Sequence, residues 1–148
     1  MKKLVDEDIK LTVVGEGKLK DKAIGVSNIK LVGRIPNEKL FGYYDKNDVL
    51  ILPSYTEAFP LTILESMARG LAIVTTKIPG VDEIVENERN GYLFRSGDVD
   101  KVVKIPSYLK NNCMLINYMS KNNLRLIKKY STERVVLKYN AIFNDVCC

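Results

Sequence analysis

The feature that most constrains the fold is the alternation of short apolar segments with helical patterns along this chain of 148 residues. Most of the apolar segments are rich in β-branched residues and apolar at successive positions, as in the sequences LTVV, VLIL and LAIVTT. The five strands predicted from them are Ile9–Val14, Ile29–Val32, Val49–Leu52, Leu71–Thr75 and Gly91–Phe94. Strands that are apolar on both faces are typical of a parallel sheet covered by helices.

Helical patterns lie between these strands, and two longer ones follow the last strand. The predicted helices are Asn37–Lys46, Leu61–Arg69, Asp82–Glu86, Asp98–Val103, Asn112–Lys129 and Thr132–Asp145. The alternating order predicts one α/β domain over residues 1–148, with a Rossmann-like, doubly wound parallel sheet and helices on both faces. Such sheets bind ligands beyond the carboxyl ends of their strands. A ligand is therefore expected at the loops after Val14, Val32, Leu52 and Thr75.

Composition excludes several classes of protein. The chain contains no histidine, which rules out a histidine general base and the nucleophile pairs that depend on one. Its three cysteines, Cys113, Cys147 and Cys148, have the spacing of neither a zinc site nor a disulfide framework, so a reducing cytoplasm is expected. The sequence has no apolar run of about 18 residues, and no apolar stretch follows the basic start as in a secretory signal.

Positive charge is concentrated near the C-terminus. Residues 105–144 contain seven basic residues and one acidic residue, Glu133, for a net charge of +6. This stretch could contact an anionic membrane surface, which would place the protein at the inner face of a membrane, or it could be a solvated helix face. A nucleic-acid partner is not expected, because the stretch lacks the interleaved aromatic residues and glycine-rich segments of common RNA-binding modules.

The segment after the third predicted strand carries the strongest functional signal. A loop leads to Pro60, which suits the first turn of a helix because its missing N–H would have had no partner there. The N–H groups of Leu61, Thr62 and Ile63 would then be free, and with the helix dipole they would form a site for a phosphate. Glu57 precedes this helix start in the loop.

Glu65, in the second turn of the same helix, places a second carboxylate beside the predicted anion site. Carboxylates repel phosphate, but they accept hydrogen bonds from sugar hydroxyls, so a diphosphate flanked by ribose and a donor sugar would suit the arrangement. The alternative is structural: Glu65 lies at the edge of the apolar arc of the helix, and Glu57 could be a solvated loop acid.

Several motifs in this chain resemble the group-1 (family 4) retaining glycosyltransferases of GT-B fold. The segment from Pro53 to Gly70 is similar to their P-S-x-x-E-[GA]-F-x-L-x-x-L-E-[AS]-M-A-x-G motif, in which two glutamates are spaced as E-x7-E. The other similar segments, in order, are Val14–Gly17, Asn28–Gly33, Val74–Thr76 with Pro79–Val85, and Asn90–Phe94. The match therefore extends over nearly the whole chain and implies the nucleotide-sugar-binding C-terminal domain of such an enzyme.

The resemblance implies a role for each matching residue. Glu57 would be the catalytic residue and hold hydroxyls of the donor sugar, against which Ala58, Phe59 and Pro60 would lie. The other implied contacts are diphosphate at Leu61 and Thr62, ribose at Glu65, and the base at Gly33, Arg34 and Ile35, with Gly15 and Gly17 shaping the adjacent loop. The implied substrate is a UDP- or GDP-sugar bound without a metal, and the acceptor would be a glycan or lipid in the synthesis of a glycan, polysaccharide or glycolipid.

The sequence departs from the family pattern in two places. Ala58 stands where the family often has glycine, which would cost of order 1 kcal/mol if the loop needs a positive φ. The family's domain normally begins with another strand and a G-R-x-x-x-x-K-G segment, whose arginine and lysine neutralise the departing diphosphate. No such segment precedes Met1, and the acceptor-binding domain is missing. We therefore expect a fragment or a split gene product that binds its donor without turnover.

Three other functions are open to a chain of this pattern. A nicotinamide oxidoreductase is disfavoured because the third glycine of the fingerprint is replaced by Lys20. A sugar-nucleotide epimerase of the same fold would also bind a sugar nucleotide. A non-catalytic nucleotide-sugar-binding or interaction module is the alternative from a different class, and the missing arginine and lysine favour it.

Overall fold

In the computed structural model, the described residues are 8–18, 20–57, 60–131, 133–134, 136–137 and 140. The strands are β1 (Leu11–Val14), β2 (Ile29–Gly33), β3 (Val49–Leu52), β4 (Ala72–Thr76) and β5 (Gly91–Phe94). The α-helices are α1 (Asn37–Tyr44), α2 (Leu61–Ala68), α3 (Val99–Lys110) and α4 (Cys113–Leu126). Short 3₁₀ helices lie at Lys20–Ala23 and Ile127–Tyr130. All five predicted strands are present within one or two residues.

Every strand pairing is parallel, and the pairings form two ladders. β1 pairs with β2, while β3, β4 and β5 pair in that order. The predicted α/β class with parallel strands and helices on both faces is confirmed, but the strands do not form the single continuous sheet that was expected. In the doubly wound strand order 3-2-1-4-5-6, strand 1 lies between strands 2 and 4. If β1 to β5 correspond to strands 2 to 6 of that order, the break between β1 and β3 falls at the position of strand 1.

The strand β4 is the centre of the hydrophobic core, and all five of its residues are buried. Ile73 packs with Ile63 and Met67 of α2 on one face of the sheet. Ala72 and Val74 point to the opposite face, since side chains alternate along a strand. There they join a cluster completed by Phe94 of β5, Leu109 of α3 and Met119 of α4. Helices therefore cover both faces of the three-stranded sheet.

A buried amide network attaches α4 to the amino ends of β4 and β5. The Asn123 amide nitrogen donates to the carbonyls of Leu71, at 2.6 Å, and Asn90, at 2.9 Å. Its oxygen accepts from the Asn90 side chain at 3.0 Å. Both asparagines are fully buried, and these bonds supply the partners that buried polar groups require.

The predicted helix Asp82–Glu86 is wrong, because residues 79–84 form turns instead. In a continued helix, the amide of Glu86 would donate to a backbone carbonyl four residues earlier. It donates instead to the Asn90 side-chain oxygen at 2.7 Å, and the Asn90 side-chain nitrogen donates to the Ile84 carbonyl at 3.0 Å. The Asn90 side chain thus takes the hydrogen bonds that would have extended the helix.

The later helices also differ in extent from the predictions. The helix predicted to end at Val103 runs to Lys110, and it continues through Pro106, which is buried with Leu109 against the core. A proline inside a helix lacks the N–H that would donate one of the helical hydrogen bonds. The prediction for Thr132–Asp145 lies mostly outside the described residues, of which 133, 134, 136, 137 and 140 are helical. No helix in the described part of the chain is long and apolar enough to cross a membrane.

Candidate functional site

The loop after β3 is held in place by hydroxyl groups of β4. The Thr75 hydroxyl donates to the carbonyl of Leu52 at 2.9 Å, and the Thr76 hydroxyl donates to the carbonyl of Ser54. The Ser54 hydroxyl in turn donates to a carboxylate oxygen of Glu57 at 2.5 Å. Glu57 is half-buried. It is therefore oriented through a chain of contacts that begins on the best-packed strand of the molecule.

The start of α2 exposes backbone donors as the sequence predicted, with one correction. Pro60 is the capping residue, and α2 begins at Leu61. The Ile63 amide, expected to be free, donates to the Pro60 carbonyl at 2.9 Å because the first turn is tight. Within the described residues, the amides of Leu61 and Thr62 have no hydrogen-bond partner. Two N–H groups at the positive end of a helix dipole suit an anion.

Glu65 is oriented by a tyrosine on the preceding helix. The Tyr44 hydroxyl, at the end of α1, donates to Oε2 of Glu65 at 3.2 Å. Burial raises the pKa of Tyr44, and the charge of Glu65 and the hydrogen bond to it raise it further. The tyrosine therefore stays protonated at neutral pH and acts as a donor. In the part of the chain that is described, it is the hydrogen-bond partner of the Glu65 carboxylate.

Other contacts hold α1 against α2 independently of this hydrogen bond. Arg69, which follows α2, forms an ion pair with Asp45 at 3.4 Å. Its guanidinium also lies over the ring of Phe41, at 5.2 Å from the centroid. The ion pair is exposed and contributes little by itself, but the cation–π contact adds about 0.5–1 kcal/mol at such a site. The two helices therefore meet through several side chains.

The loops expected to receive the base meet at the carboxyl ends of β1 and β2. The Gly15 amide donates to the Gly33 carbonyl at 2.8 Å, and both glycines have positive φ, at 120° and 78°. Residues with a β-carbon rarely adopt a positive φ, which explains the glycines at these two positions. Gly17 lies in the same exposed loop, and its carbonyl accepts from the Lys20 amide at 3.0 Å. Arg34 is exposed and Ile35 is half-buried.

The structure arranges the predicted residues in two groups. One contains Glu57, Pro60, Leu61, Thr62 and Glu65 around the start of α2, and the other contains the base loops on β1 and β2. In the part of the chain that is described, no hydrogen bond or ion pair joins the two groups. Pro60 is buried, whereas Ala58 and Phe59 lie outside the described residues. Both groups follow the carboxyl ends of parallel strands.

Two cavities lie away from these residues. One is apolar and lies between β1, β3 and α3, where Ile9, Ile51 and Pro106 line it. The other is lined by residues of the turns after β4, of the end of α4 and of the 3₁₀ helix that follows it, among them Asp82 and Lys129. Glu57, Glu65 and the turns at Gly15 and Gly33 line neither of these two cavities. The described residues contain no cluster of three or more metal-ligating side chains.

Sequence reasoning missed three residues that orient the two glutamates. Tyr44 lies in the predicted helix Asn37–Lys46 but was given no role, and its hydrogen bond spans 21 positions in sequence. Ser54 is part of the matched motif but was given no role, and Thr76 was placed just beyond a predicted strand. A serine three residues before a glutamate is a local signal for such a contact, whereas the other two contacts are tertiary.

The fold is that of a GT-B glycosyltransferase domain, and comparison with known proteins identifies its family. Residues 1–111 match the family described as glycosyl transferases group 1. The chain belongs to this family, which confirms the resemblance found in its motifs.

Known relatives agree with this assignment. An uncharacterized glycosyltransferase of Haemophilus influenzae is 34% identical over 142 residues, which cover 91% of this chain and 40% of that protein. The N-acetyl-alpha-D-glucosaminyl L-malate synthase of Bacillus anthracis is 27% identical over 151 residues, covering 97% and 40% of the two chains. The chain thus spans about two fifths of the length of these relatives.

Solved structures match the fold over almost the whole chain. A mutant of Staphylococcus aureus TarM, crystallised with fondaparinux, alpha-GlcNAc-glycerol and UDP, superposes with a TM-score of 0.83 at 25% identity. The match covers 97% of this chain and 31% of that one. The C-terminal domain of a group 1 glycosyl transferase from Francisella tularensis gives a TM-score of 0.67 at 26% identity, over 78% and 60% of the chains. The parallel sheets with helices on both faces are those of GT-B C-terminal domains.

Proposed function

We propose that residues 1–148 belong to the donor-binding domain of a retaining glycosyltransferase. The enzyme would transfer a hexosyl group from a nucleoside diphosphate sugar to an acceptor during glycan, polysaccharide or glycolipid synthesis. The observation that carries the proposal is the start of α2. There, the unpartnered amides of Leu61 and Thr62 lie between Glu57 and Glu65 in the sequence. The Ser54 hydroxyl donates to Glu57 and the Tyr44 hydroxyl donates to Glu65, so both carboxylates are held in orientation.

Each group has a role in this proposal. The amides of Leu61 and Thr62 would bind the diphosphate, because they are exposed donors at the positive end of a helix. Glu65 would accept hydrogen bonds from the ribose hydroxyls. Glu57, held by Ser54, would bind hydroxyls of the donor sugar and act in catalysis, and Ala58, Phe59 and Pro60 would lie against that sugar.

The base would bind at the turn after β2. Gly33, Arg34 and Ile35 would contact it mainly through backbone groups, while Gly15 and Gly17 shape the neighbouring loop. UDP in the TarM complex supports a uridine nucleotide, and GDP remains in the proposal because backbone contacts serve either base. No metal is required, since helix amides replace a cation at the phosphates.

The length of the relatives suggests that another domain completes the site. Small-molecule sites often lie between domains, and the relatives are more than twice as long as this chain. We propose that an N-terminal domain supplies the acceptor site. Residues 1–148 alone would bind the donor but not transfer it, because the arginine and lysine of the family pattern have no match in this sequence and electrostatic stabilisation is usually the largest catalytic term.

A peripheral membrane contact on the cytoplasmic side is a further part of the proposal. Tyr118, Lys121, Arg125 and Lys128 are exposed and follow one another at three- and four-residue spacing on α4 and the turn after it. A basic face with an aromatic side chain is suited to anionic lipid headgroups. Co-sedimentation with phosphatidylglycerol vesicles that weakens with salt would support the contact, whereas equal recovery with neutral vesicles would contradict it.

Titration calorimetry of the chain with UDP and GDP in EDTA tests the nucleotide site. We expect one of the two to bind, and we expect Glu65→Ala to weaken that binding by about 1–3 kcal/mol, the size of hydrogen bonds to a charged group. Glu83→Ala is the control, because Glu83 is an exposed glutamate in the turn after β4. Equal affinity of wild type and Glu65→Ala would remove the ribose role, and failure of both nucleotides to bind would remove the proposed function.

A further inference from the structure

The hydrogen bond between Tyr44 and Glu65 joins a buried tyrosine to a carboxylate that is partly open to solvent. Tyr44 is only 5% exposed, yet its hydroxyl donates to one oxygen of a carboxylate that is itself only half-buried. No other described residue donates to that carboxylate. The tyrosine thus fixes one oxygen from the protein side, and the other oxygen remains available to a ligand.

A fixed carboxylate recognises a vicinal diol better than a mobile one. Glutamate has three rotatable bonds, and ordering a long side chain when a ligand binds has an entropic cost. A donor behind the carboxylate limits its rotation before the ligand arrives. The remaining lone pairs of an ionised carboxylate can then accept from two hydroxyl groups.

We propose that Tyr44 is the positioning residue of the ribose site, and that through Glu65 it makes the site selective for nucleotides that carry both ribose hydroxyls. This inference rests on the proposed function, because it assigns the ligand of Glu65 to the ribose. Tyr44 does not touch the nucleotide. It lies on α1 and acts on the ribose site only through its hydrogen bond to Glu65.

The structure also shows why Tyr44→Phe is an informative variant. The ring is buried and packs edge-on against Phe41, with centroids 6.3 Å apart, and phenylalanine keeps that packing. The ion pair of Asp45 with Arg69 still connects the two helices. The substitution therefore removes the hydroxyl and leaves the docking of α1 in place. Tyr43→Phe is the matched control, because its hydroxyl has no hydrogen-bond partner in the described part of the chain.

The experiment measures affinity for UDP or GDP, whichever the wild-type chain binds more tightly, and for its 2′,3′-dideoxy analogue. Tyr44→Phe is expected to weaken binding of the ribonucleotide by about 3- to 10-fold, the effect of one hydrogen bond. Its effect on the dideoxy analogue should be less than about 2-fold, because the analogue has no hydroxyls for Glu65 to accept. The double variant Tyr44→Phe/Glu65→Ala should bind the ribonucleotide as weakly as Glu65→Ala alone.

Several outcomes would overturn the inference. Equal weakening of both ligands by Tyr44→Phe would mean a general structural effect, and additive losses in the double variant would mean that the tyrosine does not act through Glu65. A wild-type chain that binds the ribonucleotide and its dideoxy analogue equally would have no ribose selectivity to explain. If Glu65→Ala weakens ribonucleotide binding but Tyr44→Phe does not, the inference alone fails. If wild type binds neither UDP nor GDP, the proposed function fails with it.

Discussion

The strands of the two sheets differ in how completely helices cover them. Every residue of β4 is buried, and Ile73 and Val74 have no exposed surface, because α2 packs on one face of the sheet and α3 and α4 on the other. No residue of β1 or β2 is fully buried, and Val14 is 38% exposed. The proposed site uses both regions, with phosphate and ribose groups on the covered sheet and base loops on the thinly covered one.

This difference separates two kinds of recognition. Glu57 and Glu65, which must be held in one orientation, are bound by side-chain hydrogen bonds from Ser54 in the loop after β3 and from Tyr44 on α1. The base loops depend on backbone conformation, fixed by two glycines with positive φ. Regions with few buried apolar contacts open locally at low free energy, so the base loops should be the more adaptable part of the site.

The largest expected effect tests the difference in packing directly. Ile73→Ala should lower the free energy of unfolding by about 2–5 kcal/mol, because it leaves a cavity at a fully buried position. The matched change in the thinly covered sheet, Ile29→Ala, should cost less than about 2 kcal/mol because Ile29 is only partly buried. Urea unfolding followed by circular dichroism measures both. Equal losses would show that the two sheets are equally packed.

The amide network beneath β4 and β5 should have the next largest effect. Asn123→Leu removes the donor to two strand-end carbonyls, of which the Asn90 carbonyl keeps the Ile73 amide at 3.4 Å, and a buried polar group that loses its partner costs about 1–3 kcal/mol. Asn122→Leu is the control, since the side chain of Asn122 makes only an exposed hydrogen bond to the Arg89 carbonyl. Thermal denaturation of the two variants gives the comparison. A smaller loss for Asn123→Leu than for its neighbour would mean that the network does not stabilise the sheet.

A smaller effect is expected in the base loops. Gly33→Ala should lose about 1–2 kcal/mol, because φ at Gly33 is 78° and a β-carbon disfavours that conformation. Gly17→Ala should change stability by less than about 0.5 kcal/mol, since Gly17 lacks a positive φ and a β-carbon there meets only open space. Urea midpoints give the stability difference, and equal midpoints would mean that the turn at Gly33 is not constrained.

How far the sequence predicted this architecture depends on the range of the interactions. The strands and α2 were predictable because continuous apolar runs and a proline-to-glycine helix signal are local. The two glutamates were found for the same reason, since they lie eight positions apart on one loop and helix. The helix at Asp82–Glu86 was mispredicted because the Asn90 side chain, a few residues further along, replaces the helical hydrogen bonds, and Asn90 is itself bound to Asn123, 33 positions away. The contact of Tyr44 with Glu65 joins two helices, and no local pattern indicates it.

The continuous sheet was the other expectation that the structure corrected. The sequence shows which segments are strands, but the pairing of β1 with β3 depends on what lies between them in space. Parallel ladders need backbone partners on adjacent edges, and none of the described residues connects these two edges. Strand order is a property of the assembled domain, which apolar patterning alone does not determine.

The most direct test of the central claim is to map nucleotide binding onto the backbone. We would titrate the ¹⁵N-labelled chain with UDP, and separately with GDP, in EDTA and follow amide chemical shifts by nuclear magnetic resonance. The largest shifts are expected at Leu61 and Thr62, with smaller shifts at Gly33 and Arg34, because helix amides would contact the diphosphate. Unchanged amides at the start of α2, with the main shifts at the cavity beside Asp82 and Lys129, would contradict the account.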